Sequence, residues 1–323
     1  MKKASDFFRF SFRAWGVIAA AGFVMSVSTV LSFLGALYWF LDLFAHFRVQ
    51  YFIGLSIVSL LLLIPRKYNK VALCFGLLAI VNLSTILPLY FGRTTNDFNS
   101  QLSQRILSIN VNTQFGNVTK VIKVIRDYNP DIVVLEEIDD KWVSSLQSLS
   151  NPYLYSKIQS REDNFGIALY SKYPFTQADI IDIGDAEVPS IFAEVATDNG
   201  RVTILATHPL PPTSKEYFLL RNAQFEGVPE YIHKATSPVM LIGDFNTSPW
   251  SYYFGKLLKE TGLKDSSKGR GVQPTWPSHN PILLIPIDHC LYSTGIEIIQ
   301  KEIGPNVDSD HYPVIIDFVI TAN

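Results

Sequence analysis

The pattern of hydrophobic and polar positions divides the chain into two parts. Residues 14–41, 49–65 and 71–92 form uncharged, mostly apolar runs of 28, 17 and 22 residues. A helix that crosses a bilayer core needs about 20 apolar residues, with a range of roughly 17–25. A cleaved signal peptide fits less well, because its apolar region has only about 7–15 residues. The pattern therefore predicts a membrane anchor over residues 1–92 with three transmembrane helices.

Basic residues around these runs predict the orientation of the anchor. Four precede the first run, three lie between the second and third runs, and only Arg48 lies between the first and second. Because cytoplasmic loops carry an excess of Lys and Arg, we expect the N-terminus in the cytoplasm and the chain after Gly92 on the extracytoplasmic side. The second run is at the short limit for a span. If that run is re-entrant, the large domain lies in the cytoplasm instead.

A polar linker is predicted at residues 93–104, and strands and helices alternate after it. Helical spacing of apolar residues predicts helices over 118–125, 215–232 and 252–261. The pattern thus predicts a mixed α and β domain over residues 105–323, long enough for one large core. Apolar and β-branched runs predict strands at 105–111, 131–135, 165–170, 190–196, 202–207, 238–242, 286–292 and 312–319.

Charge divides the chain at the same place. The sequence is 48% hydrophobic and 17% charged, and this apolar content excludes a disordered protein. Residues 1–92 contain eight Lys/Arg and two Asp/Glu, a net charge of +6, whereas residues 93–323 contain nineteen Lys/Arg and twenty-seven Asp/Glu, a net charge of −8. A face that binds nucleic acid is expected to be basic. The acidic domain therefore disfavours nucleic acid as the substrate.

Polar residues directly follow several of the predicted strands. An unpaired polar group at the end of a buried strand is costly, so we expect these groups to converge on one site. Their carboxylate and amide oxygens suit a hard cation such as Mg²⁺ or Mn²⁺. The residues are Asn110, Asn112, Glu136, Glu137, His208, Asp244, Asn246, Asp310 and His311.

Three motifs carry a family resemblance. They are Asn-Pro-Asp-Ile-Val-Val-Leu-Glu-Glu at 129–137, Gly-Asp-Phe-Asn at 243–246 and Ser-Asp-His-Tyr-Pro-Val at 309–314. In this order they resemble the endonuclease/exonuclease/phosphatase superfamily, which has the DNase I fold, in the form of a membrane-anchored bacterial member. Glu136 stands where the family usually has Gln. The resemblance implies an α+β fold in which a two-sheet β-sandwich is flanked by helices.

The resemblance also implies which residues hold a metal. Glu137 resembles the main metal-binding carboxylate of the family. Asn110 resembles a neighbouring ligand, and Asp310 resembles a further contact to the metal. Asn112 stands where some members have Asp, so a second metal position is expected to be weaker here. The implied cofactor is Mg²⁺ or Mn²⁺.

The implied catalytic residues surround the scissile phosphate. His311 resembles the histidine beside that phosphate, and Asp288 resembles its orienting carboxylate. Asp244 and Asn246 resemble the pair that positions the nucleophile and the phosphate. His208 resembles a second histidine that contacts phosphate oxygens. We favour Asp244 as the group that deprotonates water, with a protonated His311 stabilising the transition state; His311 as the general base is the alternative.

Together, the anchor and these residues predict a membrane-anchored, divalent-metal-dependent phosphoester hydrolase, either a phosphodiesterase or a phosphatase. We expect it in a bacterial inner or plasma membrane, with the bilayer as a partner of the N-terminal helices. Lipid-linked or small phosphoesters are the favoured substrates, because an anchor raises the local concentration of membrane substrates. A Mg-dependent endo- or exonuclease is the alternative, and a non-catalytic binding module is a third. No oligomeric state is predicted.

Several other residues are expected to be structural. Arg221 and Gln224 lie one turn apart on a predicted helix and are interpreted as supporting residues. Trp276 is expected to pack; the alternative is that its loop, which precedes Asp288, borders the substrate mouth. His289 should point to the opposite face of its strand from Asp288, because side chains alternate along a strand.

Overall fold

A computed structural model of the protein describes residues 2–92 and 103–321. The chain forms two compact units, one of residues 1–88 with 250–252 and the other of residues 89–249 with 253–323. The predicted linker at 93–104 lies outside the described residues apart from its last two, and Gln104 already begins the first strand.

The first unit is helical. Three of its stretches are long and apolar enough to cross a membrane, namely Ala14–Leu34, Trp39–Leu63 and Asn69–Tyr90. The second stretch has 25 residues, because its helical backbone begins well before Arg48, the charge that limits the uncharged run in the sequence. The expectation of three helices of membrane-spanning length is therefore confirmed. The helices are α1 (Lys2–Leu31), α2 (Trp39–Asp42), α3 (Arg48–Leu63) and α4 (Asn69–Ile86), with 3-10 turns at Ser32–Leu34, Leu43–Phe47 and Leu87–Tyr90.

A buried polar contact joins three of these helices. The Asn82 amide nitrogen donates to the Thr29 hydroxyl at 2.9 Å, and its oxygen accepts from Arg48 Nη1 at 3.3 Å. These hydrogen bonds satisfy buried polar groups that would be costly to leave unpaired. Large apolar side chains are exposed on the outer faces of these helices. They include Phe23, Val24, Leu60, Leu73 and Leu77.

The second unit contains twelve strands among the described residues. They are β1 (Gln104–Asn110), β2 (Ile132–Glu136), β3 (Tyr155–Gln159), β4 (Ile167–Ser171), β5 (Phe175–Asp182), β6 (Pro189–Thr197), β7 (Gly200–Thr207), β8 (Val239–Asp244), β9 (Lys264–Asp265), β10 (Asp288–Tyr292), β11 (Ile296–Ile303) and β12 (Val314–Ile320). One sheet has the order β11-β12-β1-β2-β4-β3, and the other has the order β5-β6-β7-β8-β10-β9. Only β1–β2 and β7–β8 are parallel pairs among them.

Helices cover the outer faces of both sheets. Because successive side chains of a strand point to opposite faces, Ile132 and Val134 of β2 join the core between the sheets, whereas Val133 and Leu135 pack beneath the helices. A second outer core lies on the other sheet, where Phe225 and other helix residues pack. The predicted two-sheet sandwich flanked by helices is therefore confirmed. The helices are α5 (Val118–Tyr128), α6 (Asp140–Ser145), α7 (Lys215–Lys234) and α8 (Tyr252–Thr261), with a 3-10 helix at Leu146–Ser150.

Candidate active site

The ends of the central strands from both sheets meet at one edge of the sandwich. In the first sheet, Asn110 at the end of β1 lies opposite Glu136 at the end of β2. In the second sheet, Asp244 at the end of β8 lies opposite Asp288 at the start of β10. The Glu136 carboxylate accepts hydrogen bonds of 2.9 and 3.2 Å from the backbone N–H of Asp244. This contact fixes the end of one sheet to the end of the other.

The backbone leaves these strands in unusual conformations. Asn112, Glu137 and Asn246 have φ angles of 50°, 59° and 50°, in the left-handed region that few non-glycine residues adopt. Gly243 has a φ of 146°, and a Cβ at that position would collide with the Glu136 carboxylate. Strained backbone of this kind is typical of functional sites, where the surrounding structure holds it in place.

Two histidines approach one aspartate in the floor of the site. His311 Nδ1 lies 2.9 Å from Asp288 Oδ2, and His311 Nε2 lies 3.5 Å from Asp244 Oδ2. His208 Nε2 lies 3.5 Å from the same Asp244 oxygen and 4.0 Å from Glu137 Oε1. Both histidines and both aspartates are buried. The arrangement is therefore a connected acid and base network rather than a set of separate surface groups.

Burial and charge act in opposite directions on these groups. Burial lowers the pKa of His311, but the negative charges of Asp288 and Asp244 outweigh burial and raise that pKa to about 10. Burial also lowers the pKa of His208, but hydrogen bonding to Asp244 and the nearby carboxylates raise that pKa to about 9. For Asp244, burial raises the pKa, and the two histidines overcome burial and hold it below its usual value. At neutral pH, two imidazolium ions flank an ionised carboxylate, and such cations can stabilise phosphate oxygens.

Asn110 links the carboxylates on the two sheets. Its Nδ2 donates to Glu137 Oε1 at 2.8 Å and to Asp244 Oδ2 at 3.3 Å. Its Oδ1 accepts from the backbone N–H of Asn112 at 3.1 Å. In this arrangement, the amide orients two carboxylates while its own oxygen is engaged, so its role as a metal ligand stays a prediction.

Asp310 is held by two donors. Asn112 Nδ2 donates to Oδ1 at 2.8 Å, and the Trp276 indole N–H donates to Oδ2 at 2.9 Å. Trp276 was expected to pack, with its loop at the border of the substrate mouth as the alternative. Its indole lines the cavity, its hydrogen bond fixes Asp310, and its ring lies 6.4 Å from that of His311. Ser309 adds a further support, because its hydroxyl donates to the Asn110 carbonyl at 2.7 Å and accepts from the His311 N–H at 3.0 Å.

Two groups of side chains have donor atoms suited to a metal. Glu137 and Asp244 both contact Asn110, and burial raises the pKa of Glu137. A divalent cation would offset the negative charge of these buried carboxylates. Their oxygen donors suit Mg²⁺ or Mn²⁺. The second group consists of Asp244, Asp288 and His311, whose ligand atoms lie within 4.8 Å of one another. Since Asp288 already engages Nδ1 of His311, we interpret the second group as a proton-handling network.

A cavity of about 230 Å³ opens above these groups. One wall comes from the loop at 160–166, in which Phe165 lies 5.4 Å from the His208 ring. This wall was not predicted from the sequence, because no motif marks it and the strand that precedes the loop was not predicted either. The lining residues are Glu137, Asp163, Asn164, Phe165, His208, Pro211, Asp244, Asn246, Trp276, Asp310 and His311.

The structure brings together the eight residues to which the family resemblance gives a metal-binding or catalytic role. Six of them line the cavity, and Asn110 and Asp288 join it through hydrogen bonds to lining residues. The six are Glu137, His208, Asp244, Asn246, Asp310 and His311.

The sequence model of the Endonuclease/Exonuclease/phosphatase family matches residues 107–311, more than half of the chain. The chain belongs to this family. The match begins within β1 and ends at His311, so it contains all the residues of the site described above. A comparison with curated proteins gave no match to this sequence.

Solved structures with the same fold include other members of this family. The human Nocturnin catalytic domain with a bound sulfate anion has a TM-score of 0.57 at 20% identity, covering 72% of this chain and 100% of that chain. TDP2 from D. rerio, complexed with single strand DNA product, has a TM-score of 0.57 at 17% identity, with 67% and 98% covered. An endonuclease/exonuclease/phosphatase from Beutenbergia cavernae has a TM-score of 0.55 at 18% identity, with 68% and 72% covered. At these identities, the similarity shows the fold.

Proposed function

We propose that this family member is a divalent-metal-dependent hydrolase of phosphoester bonds. Members of the endonuclease/exonuclease/phosphatase family act on such bonds. The observation that carries the proposal is the contact of His311 with Asp288 at 2.9 Å and its approach to Asp244 at 3.5 Å, on the floor of an open cavity. This geometry places a carboxylate and an imidazole beside one small space, where the raised pKa of His311 favours its protonated form and the lowered pKa of Asp244 favours its ionised form.

The proposed reaction is an in-line attack of water on phosphorus. Asp244 orients the water and accepts its proton as the new P–O bond forms. Protonated His311 donates a hydrogen bond to a phosphate oxygen, and Asp288 keeps its imidazole oriented while the bond to the leaving oxygen breaks. Protonated His208 lies 3.5 Å from the same Asp244 oxygen and adds positive charge there.

The metal would be held chiefly by Glu137, with Asn110 and Asp310 as the further contacts that the family resemblance implies. When bound, a divalent cation supplies charge neutralisation on the phosphate oxygens. Support for this set comes from its hard oxygen donors and from the hydrogen bond between Asn110 and Glu137.

Among possible phosphoesters, we propose lipid-linked or small compounds, hydrolysed at the extracytoplasmic face of a bacterial inner or plasma membrane. Three helices of membrane-spanning length support this choice, because an anchored enzyme meets membrane substrates at high local concentration. The net charge of −8 over residues 93–323 also supports it, and no Lys or Arg occurs among the described residues that line the cavity. A long polyanion would gain little affinity from such a surface.

A nuclease is the second candidate. The observation that favours it is that TDP2 from D. rerio, with the same fold, is complexed with single strand DNA product. A non-catalytic binding module is the third candidate, and the presence of the complete set of family-like residues argues against it.

A substrate panel separates these candidates. The full chain in detergent micelles is incubated with Mg²⁺ or Mn²⁺ and with phospholipids, sphingomyelin, phosphoinositides, plasmid DNA and RNA. Glu137→Ala serves as the blank, and Glu216→Ala, which alters an exposed acid of α7, is the matched control. Hydrolysis of lipid phosphoesters alone supports the preferred substrates, and cleavage of nucleic acid alone overturns them in favour of a nuclease. If the wild-type protein exceeds Glu137→Ala on no substrate, the hydrolase proposal is wrong.

A further inference from the structure

The turn that begins after Asp244, the last residue of β8, carries Asn246 and is held by several backbone hydrogen bonds. The N–H of Asp244 donates to Glu136, and the N–H of Asn246 donates to Asp244 Oδ1 at 2.8 Å. Asn246 Nδ2 donates to the Pro209 carbonyl at 2.9 Å. Two carbonyl groups of the same turn accept hydrogen bonds from side chains that do not line the cavity.

Arg221 reaches the first of these carbonyls from helix α7. Its Nη1 donates to the Asn246 carbonyl oxygen at 3.0 Å. Its Nε and Nη2 donate to Asn222 Oδ1 at 3.1 and 3.0 Å, and its guanidinium carbon lies 4.9 Å from the centre of the Phe218 ring. The side chain is 0% exposed. Because the guanidinium fork is planar and is fixed on two sides, the direction of its bond to Asn246 is fixed as well.

His289 reaches the second carbonyl from strand β10. Its Nε2 lies 2.8 Å from the carbonyl oxygen of Thr247, and Nε2 must carry the proton because a carbonyl oxygen can only accept. The ring packs 4.6 Å from the ring of Phe254 and 5.4 Å from that of Phe245. As strand alternation predicts, His289 points away from Asp288 and the cavity.

We propose that Arg221 and His289 are positioning residues for the hydrolysis proposed above, on which this inference rests. By fixing the carbonyls of Asn246 and Thr247 in succession, they hold the strained turn, with its φ of 50° at Asn246, in the one shape that places Asp244 and Asn246 in the cavity. Neither residue contacts the substrate space. Their loss shifts the reacting groups without removing them, and a displacement of about 1 Å lowers a rate by roughly 100-fold.

Paired substitutions test this inference. His289→Gln keeps an N–H donor at the position of Nε2, whereas His289→Phe keeps an aromatic ring between its neighbours and removes the donor. Arg221→Lys keeps a cation and a donor, whereas Arg221→Met keeps only the apolar packing. Lys301→Met is the matched control, because Lys301 is also buried, at 6% exposure, but donates to Ser267 at 2.8 Å rather than to the turn.

The readouts are kcat and KM of the full chain on bis(4-nitrophenyl) phosphate with Mn²⁺, the Mn²⁺ dissociation constant by calorimetry, and the melting temperature. We expect His289→Phe and Arg221→Met to lower kcat by roughly 10- to 100-fold. We expect KM and the Mn²⁺ dissociation constant to stay within about threefold. His289→Gln should restore most of the kcat, and Lys301→Met should keep it.

Two results would overturn the inference. The first is full kcat in His289→Phe, which would mean that the ring acts only through packing. The second is equal losses of kcat in His289→Gln and His289→Phe, which would mean that the N–H donor to Thr247 is not what the site requires. If Arg221→Met does not fold, the His289 pair decides. Wild-type protein measured beside Glu137→Ala keeps the two proposals distinct. No difference between those two refutes the hydrolase, whereas an active wild type together with an equally active His289→Phe refutes only the positioning role.

Discussion

Relative to the wild type, the Glu136→Gln variant should gain stability, and the gain should be larger at neutral pH than at acidic pH. Glu136 is 0% exposed and accepts both of its described hydrogen bonds from the backbone N–H of Asp244. Burial raises its pKa from 4.5 to about 8, against a lowering by the charge of His208. Gln keeps an oxygen acceptor for Asp244 and cannot ionise, and it is the residue that the family resemblance places at this position.

The expected magnitude follows from the difference in pKa between the folded and the unfolded chain. Between pH 4.5 and about 8, folded Glu136 holds a proton that the unfolded chain has released. Stability therefore falls as the pH rises through this window. Each pH unit costs on the order of 1 kcal/mol, so the wild type should lose about 2–3 kcal/mol between pH 5.5 and pH 7.5 through this one group. The Gln variant lacks this loss, so its advantage should grow over the same interval.

The assay is thermal unfolding of the metal-free full chain in detergent with EDTA, at pH 5.5 and at pH 7.5. For a domain of this size, about 2–3 kcal/mol corresponds to a melting-temperature difference of roughly 4–12 °C. The difference in melting temperature between Glu136→Gln and the wild type should be larger by that amount at pH 7.5 than at pH 5.5. Glu216→Gln, at an exposed position, is the control and should show no such widening. A gap that is the same at both pH values would refute the assignment of a raised pKa to Glu136.

Further predictions concern the backbone, the histidine network and the anchor. Gly243→Ala should lower stability by roughly 2 kcal/mol or more, because a Cβ there collides with Glu136 at a φ of 146°; an unchanged melting temperature would contradict this. Asp288→Asn should lower kcat by roughly 100-fold or more with little change in melting temperature, since His311 loses its orienting charge; retained kcat would remove Asp288 from the site. A reporter enzyme fused after Gly92 and active only outside the cytoplasm should be active, whereas a signal only from a cytoplasmic reporter would reverse the predicted orientation.

The sequence pattern predicted the interior strands of both sheets and missed the four edge strands. Interior strands such as β2 are covered on both faces, so they are nearly continuous apolar runs that stand out in the sequence. The edge strands β3, β5, β9 and β11 carry polar or charged side chains toward solvent. In β5, for example, Gln177 and Asp179 are exposed. Only pairing with a neighbouring strand defines these segments, and pairing is not visible in local composition.

The convergence of the site could be predicted because its residues follow buried strands directly. The contacts that hold these residues in place could not be predicted in the same way. Arg221 lies on a helix and acts on the backbone of Asn246, and a backbone carbonyl leaves no signature in the sequence. The amide of Asn110 likewise turns its nitrogen toward two carboxylates for reasons that only the assembled geometry reveals. The loop of Trp276 was considered as a border of the substrate mouth. Its hydrogen bond to Asp310 joins residues that are distant in sequence and become neighbours only in the folded chain.

The central claim is that Glu137, Asp244 and His311 form a metal-dependent site for phosphoester hydrolysis. Its most direct test is the initial rate at which the full chain releases nitrophenol from 4-nitrophenyl phosphate and from its bis-ester, followed over a titration of Mg²⁺ or Mn²⁺ after treatment with EDTA. We expect the hydrolysis rate of at least one ester to rise to saturation with the metal, and the rate of Glu137→Ala to be lower by roughly 100-fold or more. A rate that is insensitive to EDTA, or equal in Glu137→Ala and the wild type, would contradict it.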